Sequence, residues 1–424
     1  MIPILRSTQP ESITRLFEES RAQAKEAENV ARRILKDVRD RGDAALVRLT
    51  LKFDGIDLEK TGFTVTASEI REAHTQVDRE FVAALRQAAR NIRSAARRQL
   101  PKAWKGTTRP GVRVGQTIRP LDRVACYVPG GRFPLPSTVL MSVIPAQVAG
   151  VPDIMITSPR PAPAVLVAAD VLGIEKVFRL GGAQAIAAFA YGTASVPRAD
   201  KVVGPGNRYV AAAKKLVAGD CGIDFVAGPT ELVVIGSEGN PKWIAADLVA
   251  QAEHDPDAAA IFITSSLRLA LRVQKAVTAI VGRLNLPVAQ TSLSRRGAIL
   301  LTRKLEEAVD WANRLAPEHL TLLEDATHLL NRVRSAGAIF MGNYSPAAAG
   351  DYASGGNHIL PTAGAARLRG GLSASDFVKT ISLQQLSPEG LSGLRRTIVT
   401  LAETEGLKAH AYSVDARFEN DTGA

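Results

Sequence analysis

The chain has 424 residues, enough for about two or three domains, with 46% hydrophobic and 22% charged residues. This balance is typical of a globular protein and excludes a predominantly disordered chain. The net charge of +11 makes nucleic acid a partner to consider. However, acidic residues are interleaved with the basic ones and aromatic residues make up only 5%, so we predict solvated helix surfaces and no nucleic-acid partner.

Membrane and disulfide-rich classes are also disfavoured. No apolar run reaches the roughly 18 to 20 residues of a spanning helix, and the nearest, 139–156, contains Ser, Gln, Asp and two prolines. The first residues lack the pattern of a signal peptide, so we expect a cytoplasmic protein with no membrane partner. Two cysteines, Cys126 and Cys221, allow neither a disulfide framework nor a C-x-x-C metal pair.

The first hundred residues are predicted to be mainly helical. Apolar residues recur at helical spacing through 13–40, 44–52 and 69–100. The Asp54-Gly55 pair predicts a turn, and 61–65 a short strand.

From about residue 124 onward, short apolar runs alternate with alanine-rich helical stretches. Predicted strands lie at 125–128, 153–157, 176–180 and 201–203, and predicted helices at 140–147, 162–172, 183–191 and 208–217. This alternation predicts parallel βαβ units with right-handed crossovers and helices on both faces of a sheet.

A second alternating block begins near Glu231. Its predicted strands are 232–235, 259–264, 320–323 and 338–341, and its predicted helices 241–252, 267–283 and 305–315. The following segment, 342–371, is rich in Gly, Ala and Ser, and ordered loops of that length are usually functional. From about Ser373 we predict a helical arm.

Three glycine-marked turns follow predicted strands of the first block: Gly130-Gly131, Gly181-Gly182 and the G-P-G-N segment from Gly204. Open α/β sheets bind ligands at the carboxyl ends of their strands. A plain tight turn would explain any one of the three, but together they favour a nucleotide-like ligand. The segment that begins at Gly204 does not match the G-x-G-x-x-G fingerprint of dinucleotide-binding sites, because Tyr209 occupies the position of the third glycine.

Several histidines have potential metal ligands near them in sequence. Gln251 and His254 are three residues apart at the end of a predicted helix and so share one face. In the glycine-rich loop His358 follows Asp351, and in the arm His410 follows Glu405. Imidazole with carboxylate and amide oxygens suits zinc or manganese. Any one of these histidines, taken singly, is more typical of an ordinary surface or core residue.

The adjacent pair Glu318-His319 offers a carboxylate and an imidazole that both exchange protons near neutral pH. As an isolated dipeptide it carries little information.

Eight motifs, taken together, resemble the histidinol dehydrogenase family in order and approximate spacing over nearly the whole chain. They are Y-V-P-G-G-R from Tyr127, G-G-A-Q-A-I-A-A from Gly181, D-K-V-V-G-P-G-N-R-Y-V from Asp200, A-G-P-T-E-L from Ala227, D-L-V-A-Q-A-E-H from Asp247, A-P-E-H-L from Ala316, D-Y-A-S-G-G-N-H-I-L-P-T from Asp351 and E-G-L-K-A-H from Glu405.

The resemblance implies a zinc- and NAD-dependent enzyme that oxidises L-histidinol through L-histidinal to L-histidine. By motif position it implies one zinc per subunit on Gln251, His254, Asp351 and His410, general bases Glu318 and His319, and NAD contacts at Tyr127, Gln184 and Asn207. Substrate contacts would fall on Thr230, His358 and Glu405, together with His319 and the metal ligands.

The resemblance also implies an architecture. The fold would be α/β, with two incomplete Rossmann-like, mostly parallel domains and small helical terminal segments, in a homodimer with exchanged C-terminal arms. The corresponding segments are 1–20 at the N-terminus, 21–122 and 230–372 as one α/β domain, 123–229 as the NAD-contacting domain, and 373–424 as the arm.

Two positions depart from the family pattern. Thr230 stands where the family usually has Ser, and R-F-P-L-P-S-T from Arg132 replaces the usual residues after Gly131. A related zinc- and NAD-dependent dehydrogenase that oxidises another small alcohol, such as a sulfonated diol, is therefore the alternative.

Overall fold

The structure is a computed structural model, and it describes residues 2–8, 20–130 and 134–419. The chain divides into two compact units, Met1–Gln99 with Leu121–Phe377, and Leu100–Pro120 with Val378–Ala424. Most of the predicted N-terminal segment 1–20, including the start of the predicted helix at 13–40, lies outside the described residues, as do Gly131, Arg132 and Phe133.

The strands are β1 Ile4–Arg6, β2 Trp104–Arg109, β3 Val112–Pro120, β4 Arg123–Tyr127, β5 Asp153–Thr157, β6 Val177–Phe178, β7 Lys201–Val203, β8 Gly222–Ile223, β9 Glu231–Ile235, β10 Ala259–Thr264, β11 Gly297–Leu301, β12 His319–Leu322, β13 Ala338–Met341 and β14 Val378–Leu386. The helices are α1 Ser20–Arg41, α2 Asp43–Asp54, α3 Leu58–Thr61, α4 Ala67–Thr75, α5 Arg79–Arg98, α6 Pro136–Ala149, α7 Pro163–Val171, α8 Gly182–Tyr191, α9 Arg208–Val217, α10 Pro241–Ala252, α11 Leu267–Leu284, α12 Pro287–Arg295, α13 Leu305–Leu315, α14 Ala347–Tyr352, α15 Pro388–Thr404 and α16 Lys408–Asp415. Short 3₁₀ segments lie at Glu324–Arg332, Ala365–Arg367 and Ala374–Phe377.

A five-stranded parallel sheet, in the order β6-β5-β4-β7-β8, forms the first α/β block. Its side chains alternate between faces: Val124 and Cys126 enter one apolar layer, and Ala125 and Tyr127 enter the layer on the other side. Helices cover both faces, as a parallel sheet requires. The chain order reverses between β4 and β7, which is the switch point where such sheets bind ligands.

The N-terminal helices pack on this same sheet. Leu35 of α1 is buried in the layer that contains Tyr127, and Ile92 of α5 is buried in the opposite layer. We expected 21–122 to complete the α/β domain of 230–372. The apolar faces of α1 to α5 are instead buried on both sides of the five-stranded sheet, because that sheet has two apolar faces to cover.

A second parallel sheet, in the order β1-β11-β10-β9-β12-β13, forms the other α/β block. Leu232 and Val234 pack in the layer of α10 to α12, while Val233 and Ile235 pack in the layer of α13. Strand β11, which the sequence pattern did not separate from its surroundings, extends this sheet. The predicted α/β class with two mostly parallel, Rossmann-like sheets is confirmed.

The second unit contains an antiparallel sheet, in the order β14-β3-β2, together with α15 and α16. The prediction of helix from Ser373 onward is wrong for β14, and the prediction of a helical part up to residue 122 is wrong for β2 and β3. Strand β14 pairs with β3 from Val378 opposite Pro120 to Leu386 opposite Val112. This pairing joins segments far apart in sequence, so no local pattern predicts it.

Two local boundaries also differ from prediction. The stretch 69–100 is two helices, α4 and α5, because α4 ends at Thr75 and Asp78 occupies the N-cap position of α5. The predicted strand at 61–65 is reduced to one bridge between Thr64 and Phe178. Across the described ranges, no helix has the length and apolar composition that crossing a membrane requires.

Candidate active site

The three glycine-marked turns lie at the carboxyl end of the five-stranded sheet. Gly130 follows β4, Gly182 begins α8 after β6, and Gly204 follows β7. The hydroxyl of Tyr127 accepts a 3.1 Å hydrogen bond from the backbone N of Gly182. Gly204 has a φ of +117°, and a Cβ there would stand 2.1 Å from the carbonyl oxygen of Tyr127. Tyr127 therefore contacts two of the turns, and only glycine fits at 204.

The residues predicted to contact the cofactor border these turns in different environments. Tyr127 and Gln184 are buried, and Nε2 of Gln184 donates a 3.1 Å hydrogen bond to Oδ2 of Asp54. Burial raises the pKa of Tyr127 to about 12, so its phenol stays neutral. Asn207 is exposed, and its Oδ1 accepts two backbone N–H groups of the first turn of α9, at 3.0 and 3.1 Å. Asn207 is thus an exposed helix cap, whereas Tyr127 and Gln184 are buried next to the turns.

The predicted acid–base pair lies at the amino ends of β9 and β12. These strands are neighbours, with His319 opposite Leu232. Oε2 of Glu318 accepts a 3.0 Å hydrogen bond from the backbone N of Glu231 and another from the hydroxyl of Thr230. Nδ1 of His319 lies 3.1 Å from the backbone O of Glu231, so Nδ1–H is the donor. Nε2 of His319 is buried and has no hydrogen-bond partner among the described residues.

The loop after β13 adds Asp351 and His358 to the same site. Nδ1 of His358 donates a 3.0 Å hydrogen bond to the backbone O of Asp351, and its Nε2 lies 3.3 Å from Oγ1 of Thr138 in α6. Oδ1 of Asp351 is 3.6 Å from Nε2 of His319, which is an ion-pair distance rather than a hydrogen bond.

The end of α10 completes this cluster. Nε2 of Gln251 donates a 2.6 Å hydrogen bond to Oγ1 of Thr230. His254 lies just beyond the helix and is exposed, and its charge acts on Asp351. The first unit therefore brings together seven predicted residues: Thr230, Gln251, His254, Glu318, His319, Asp351 and His358. Glu405 and His410 lie in the second unit, where both are exposed, at the C-cap of α15 and in α16.

Burial and neighbouring charges set the protonation of this cluster. Burial raises the pKa of Glu318, and burial together with the charge of Glu318 raises the pKa of Glu231 to about 7. Burial alone would lower the pKa of His319, but the carboxylates of Glu318 and Asp351 outweigh it and raise that pKa to about 9. Burial lowers the pKa of His358. The charges of Glu318 and Asp351 thus favour the protonated form of His319, whereas burial favours the neutral form of His358.

A pocket of about 670 Å³ opens onto the cluster. His319, Asp351 and His358 line it, together with Asn357 and Tyr344. Its size lies within the roughly 300 to 1,000 Å³ of small-molecule sites. The pocket can therefore hold a small polar substrate beside His319, Asp351 and His358.

The donor atoms at this site are of the kinds that zinc binds. Gln251 uses Nε2 towards Thr230, which leaves its Oε1 available, and His254 and Asp351 add an imidazole and a carboxylate. The described residues include no group of three or more His, Cys, Asp or Glu arranged for a metal ion. His254 and Asp351 alone are too few for a metal site, so a metal bound here would need the Gln251 amide oxygen and a further donor. The unpartnered Nε2 of His319, a residue that lines the same pocket, is consistent with a polar ligand.

Glu231 belongs to this site, although the sequence reasoning did not select it. Its Oε2 is buried and has no hydrogen-bond partner among the described residues, and its backbone contacts both Glu318 and His319. The sequence feature that could have indicated Glu231 is its position as the charged first residue of the otherwise apolar strand E-L-V-V-I.

The match of the chain to a protein-family model establishes its family. The family model described as histidinol dehydrogenase matches residues 17–418. The chain belongs to the histidinol dehydrogenase family. This confirms the resemblance inferred from the motifs, and it makes the chain an oxidoreductase of that family.

Relatives within the histidinol dehydrogenase family match over nearly the full length. The histidinol dehydrogenase of Methanothermobacter thermautotrophicus is 47% identical over 419 residues, covering 96% of this chain and 97% of the relative. That of Syntrophotalea carbinolica is 49% identical over 400 residues, covering 93% of each. The crystal structure of histidinol dehydrogenase from Elizabethkingia anophelis matches with a TM-score of 0.89 and 36% identity over 92% of each chain.

Proposed function

We propose that the protein oxidises L-histidinol to L-histidine in two NAD-dependent steps through L-histidinal, at the end of histidine biosynthesis. The observation that carries this proposal is the buried cluster of Glu318, His319 and Asp351, in which Glu318 lies behind His319 and the other two residues line the pocket. Oxidation of an alcohol requires a base for its proton, and oxidation of an aldehyde to an acid requires a base for water. The chain offers two such groups in adjacent positions.

NAD, when bound, accepts the hydride in each step. We assign its contacts to Tyr127, Gln184 and Asn207. This assignment is supported by the position of the Gly130 and Gly204 turns at the strand-order reversal between β4 and β7. The hydrogen bond from Gly182 to Tyr127 and the exposed Asn207 at the start of α9 also support it.

One zinc ion per subunit, when bound, supplies a template for the nitrogen atoms of the substrate. We assign its ligands to Gln251, His254, Asp351 and His410. In support, the Thr230 hydroxyl holds the Nε2 end of the Gln251 amide, so the oxygen is the atom left to coordinate. His410 contributes an exposed imidazole from the second unit.

His319 and Glu318 divide the proton transfers. His319 Nε2 takes the alcohol proton while Nδ1–H stays bonded to the carbonyl of Glu231, which holds the ring orientation. Asp351 would also serve as a zinc ligand, and in that role its carboxylate would stabilise the imidazolium less, which would favour the neutral form of His319. Glu318 activates the water that adds to the aldehyde, and the Thr230 hydroxyl holds its carboxylate in place.

Thr230, His358 and Glu405 would contact the substrate along with His319 and the metal ligands. We further propose a cytoplasmic homodimer in which each C-terminal arm brings Glu405 and His410 to the partner's site. The exposure of both side chains in the second unit is compatible with such a role.

The test is to count NADH formed per L-histidinol consumed. Two equivalents, with L-histidine as product, are expected, because both oxidations occur before release. One equivalent with free aldehyde would contradict the two-step proposal. Turnover of a sulfonated diol, with no turnover of histidinol, would favour the alternative substrate class. Thr230 and the segment from Arg132, where the sequence departs from the family pattern, would then be the first positions to mutate.

A further inference from the structure

Lys214 of α9 and Asp224, which follows β8, form a fully buried ion pair beside the glycine-rich turn at Gly204. Their side chains are 2% and 0% exposed. Removing two charges from water costs more free energy than their attraction commonly returns, so a buried ion pair is weak evidence of a contribution to stability. Its hydrogen bonds indicate a more specific role.

The pair holds both polar backbone groups of Gly204. Oδ2 of Asp224 accepts a 2.7 Å hydrogen bond from the N–H of Gly204, and Nζ of Lys214 donates a 3.0 Å hydrogen bond to its carbonyl oxygen. The other carboxylate oxygen, Oδ1, accepts a 2.6 Å hydrogen bond from the backbone N of Phe225. The donors and acceptors of the pair are thus directed at the protein backbone rather than at a ligand.

The turn is also held at its other end. Asn207 caps α9, the same helix that carries Lys214, so turn and helix close into one hydrogen-bonded unit. Since Gly204 can carry no side chain against Tyr127, backbone hydrogen bonds are the means by which its position can be set. An apolar pair of equal volume would fill the space but would leave the N–H and C=O of Gly204 unpaired.

We propose that Lys214 and Asp224 are positioning residues for the cofactor, which hold the Gly204–Asn207 turn in the conformation that binds NAD. This inference rests on the proposed assignment of NAD to that turn. Neither residue touches the cofactor; both act through the backbone of Gly204, and a preformed turn lowers the entropic cost of binding.

The experiment compares wild type with Lys214→Met, Asp224→Leu and the double variant, which is an apolar pair that can hold neither the N–H nor the C=O of Gly204. In the double variant no charge is left unpaired, so it is the variant expected to remain folded if the single changes do not. We measure the Kd for NAD and the Kd for L-histidinol by calorimetry, and backbone hydrogen exchange over residues 204–207. We expect NAD to bind about tenfold more weakly or worse, faster exchange at the turn, and an unchanged Kd for L-histidinol.

Asp153→Asn is the matched control. Asp153 begins β5 at the amino end of the same sheet and accepts from Arg123 at 2.6 Å and from Lys176 at 2.9 Å. It holds none of the turns, so this variant should bind NAD like wild type.

The outcomes separate the two proposals. A wild type that fails to bind NAD overturns the proposed function. A wild type that binds NAD, together with a folded double variant of equal affinity, overturns the positioning role. Hydrogen exchange of the wild type provides a test that needs no variant. If the amide of Gly204 exchanged as fast as an amide in an open loop, the positioning role of Lys214 and Asp224 would also be overturned.

Discussion

The amide Nε2 of Gln251 donates a 2.6 Å hydrogen bond to the hydroxyl of Thr230, and that hydroxyl donates its own proton to the carboxylate of Glu318. A hydroxyl has a single proton, so the direction of both bonds is determined: Thr230 accepts from the amide and donates to the acid. One side chain therefore orients a proposed metal ligand and a proposed base at once.

Replacing Thr230 should accordingly affect both groups. Thr230→Val keeps the volume but removes both hydrogen bonds, and we expect kcat/KM to fall by about 10- to 100-fold, the equivalent of about 1.5–3 kcal/mol for a hydrogen bond to a charged group. Thr230→Ser keeps the hydroxyl and should stay within a few-fold of wild type. Steady-state kinetics decide, and equal losses in the two variants would contradict the hydrogen-bonding role.

Glu318 and His319 should differ in the step that each supports. Glu318→Gln should slow the oxidation of L-histidinal more than that of L-histidinol, while His319→Ala should impair both, by roughly 10²- to 10⁴-fold. Rates measured separately from the alcohol and from the aldehyde make the comparison. If Glu318→Gln oxidised the aldehyde at the wild-type rate, Glu318 would not activate the water.

Removal of zinc by a chelator should abolish oxidation, and zinc should restore it. His254→Ala should lose both bound metal and activity, with little change in thermal unfolding because the side chain is exposed. His74→Ala is the matched control, since His74 is also exposed and pairs with Asp170 at 2.8 Å outside the pocket. Full activity in a verified metal-free sample would rule out the metal role.

Glu231 should make the free energy of unfolding depend on pH. Burial and the charge of Glu318 raise its pKa in the folded state to about 7, above the value of roughly 4.3 in an unfolded chain. The folded protein therefore holds a proton that the unfolded chain releases, and this contribution to stability is complete below about pH 4 and is lost as the pH rises through about 7.

Glu231→Gln should remove that dependence. Denaturant unfolding at pH 5, 6, 7 and 8 should show the wild type losing stability relative to Glu231→Gln as the pH rises, since the amide cannot ionise. A constant difference across this range would mean that Glu231 does not titrate there.

Exchange of the C-terminal arm between subunits can be tested by mixing two inactive variants, Gln251→Ala and His410→Ala. If arms are exchanged, the mixed dimer has one site with both lesions and one site with neither, so activity should partly return. If each arm serves its own subunit, every site retains one lesion. Absence of recovery in demonstrated heterodimers would contradict the exchange and leave the ligand assignment intact.

Local patterns were sufficient for much of the fold. Short apolar runs alternating with helices predicted the bounds of β5, β7, β10 and β13. Seven of the site residues that the family motifs imply lie together in the first unit. The sequence did not predict β14 or the assignment of α1 to α5 to the five-stranded sheet, because both depend on partners distant in sequence.

The sequence by itself determined the α/β class, the glycine turns and the family to which the chain belongs, since each of these is written in local periodicity or in contiguous motifs. Only the tertiary structure decided which neighbours act on those residues. Glu231 became part of the site because parallel pairing sets the first residues of β9 beside Glu318 and His319. Likewise, Lys214 and Asp224 can hold Gly204 only because folding buries them against it, away from water, and burial is a property of the whole packed chain.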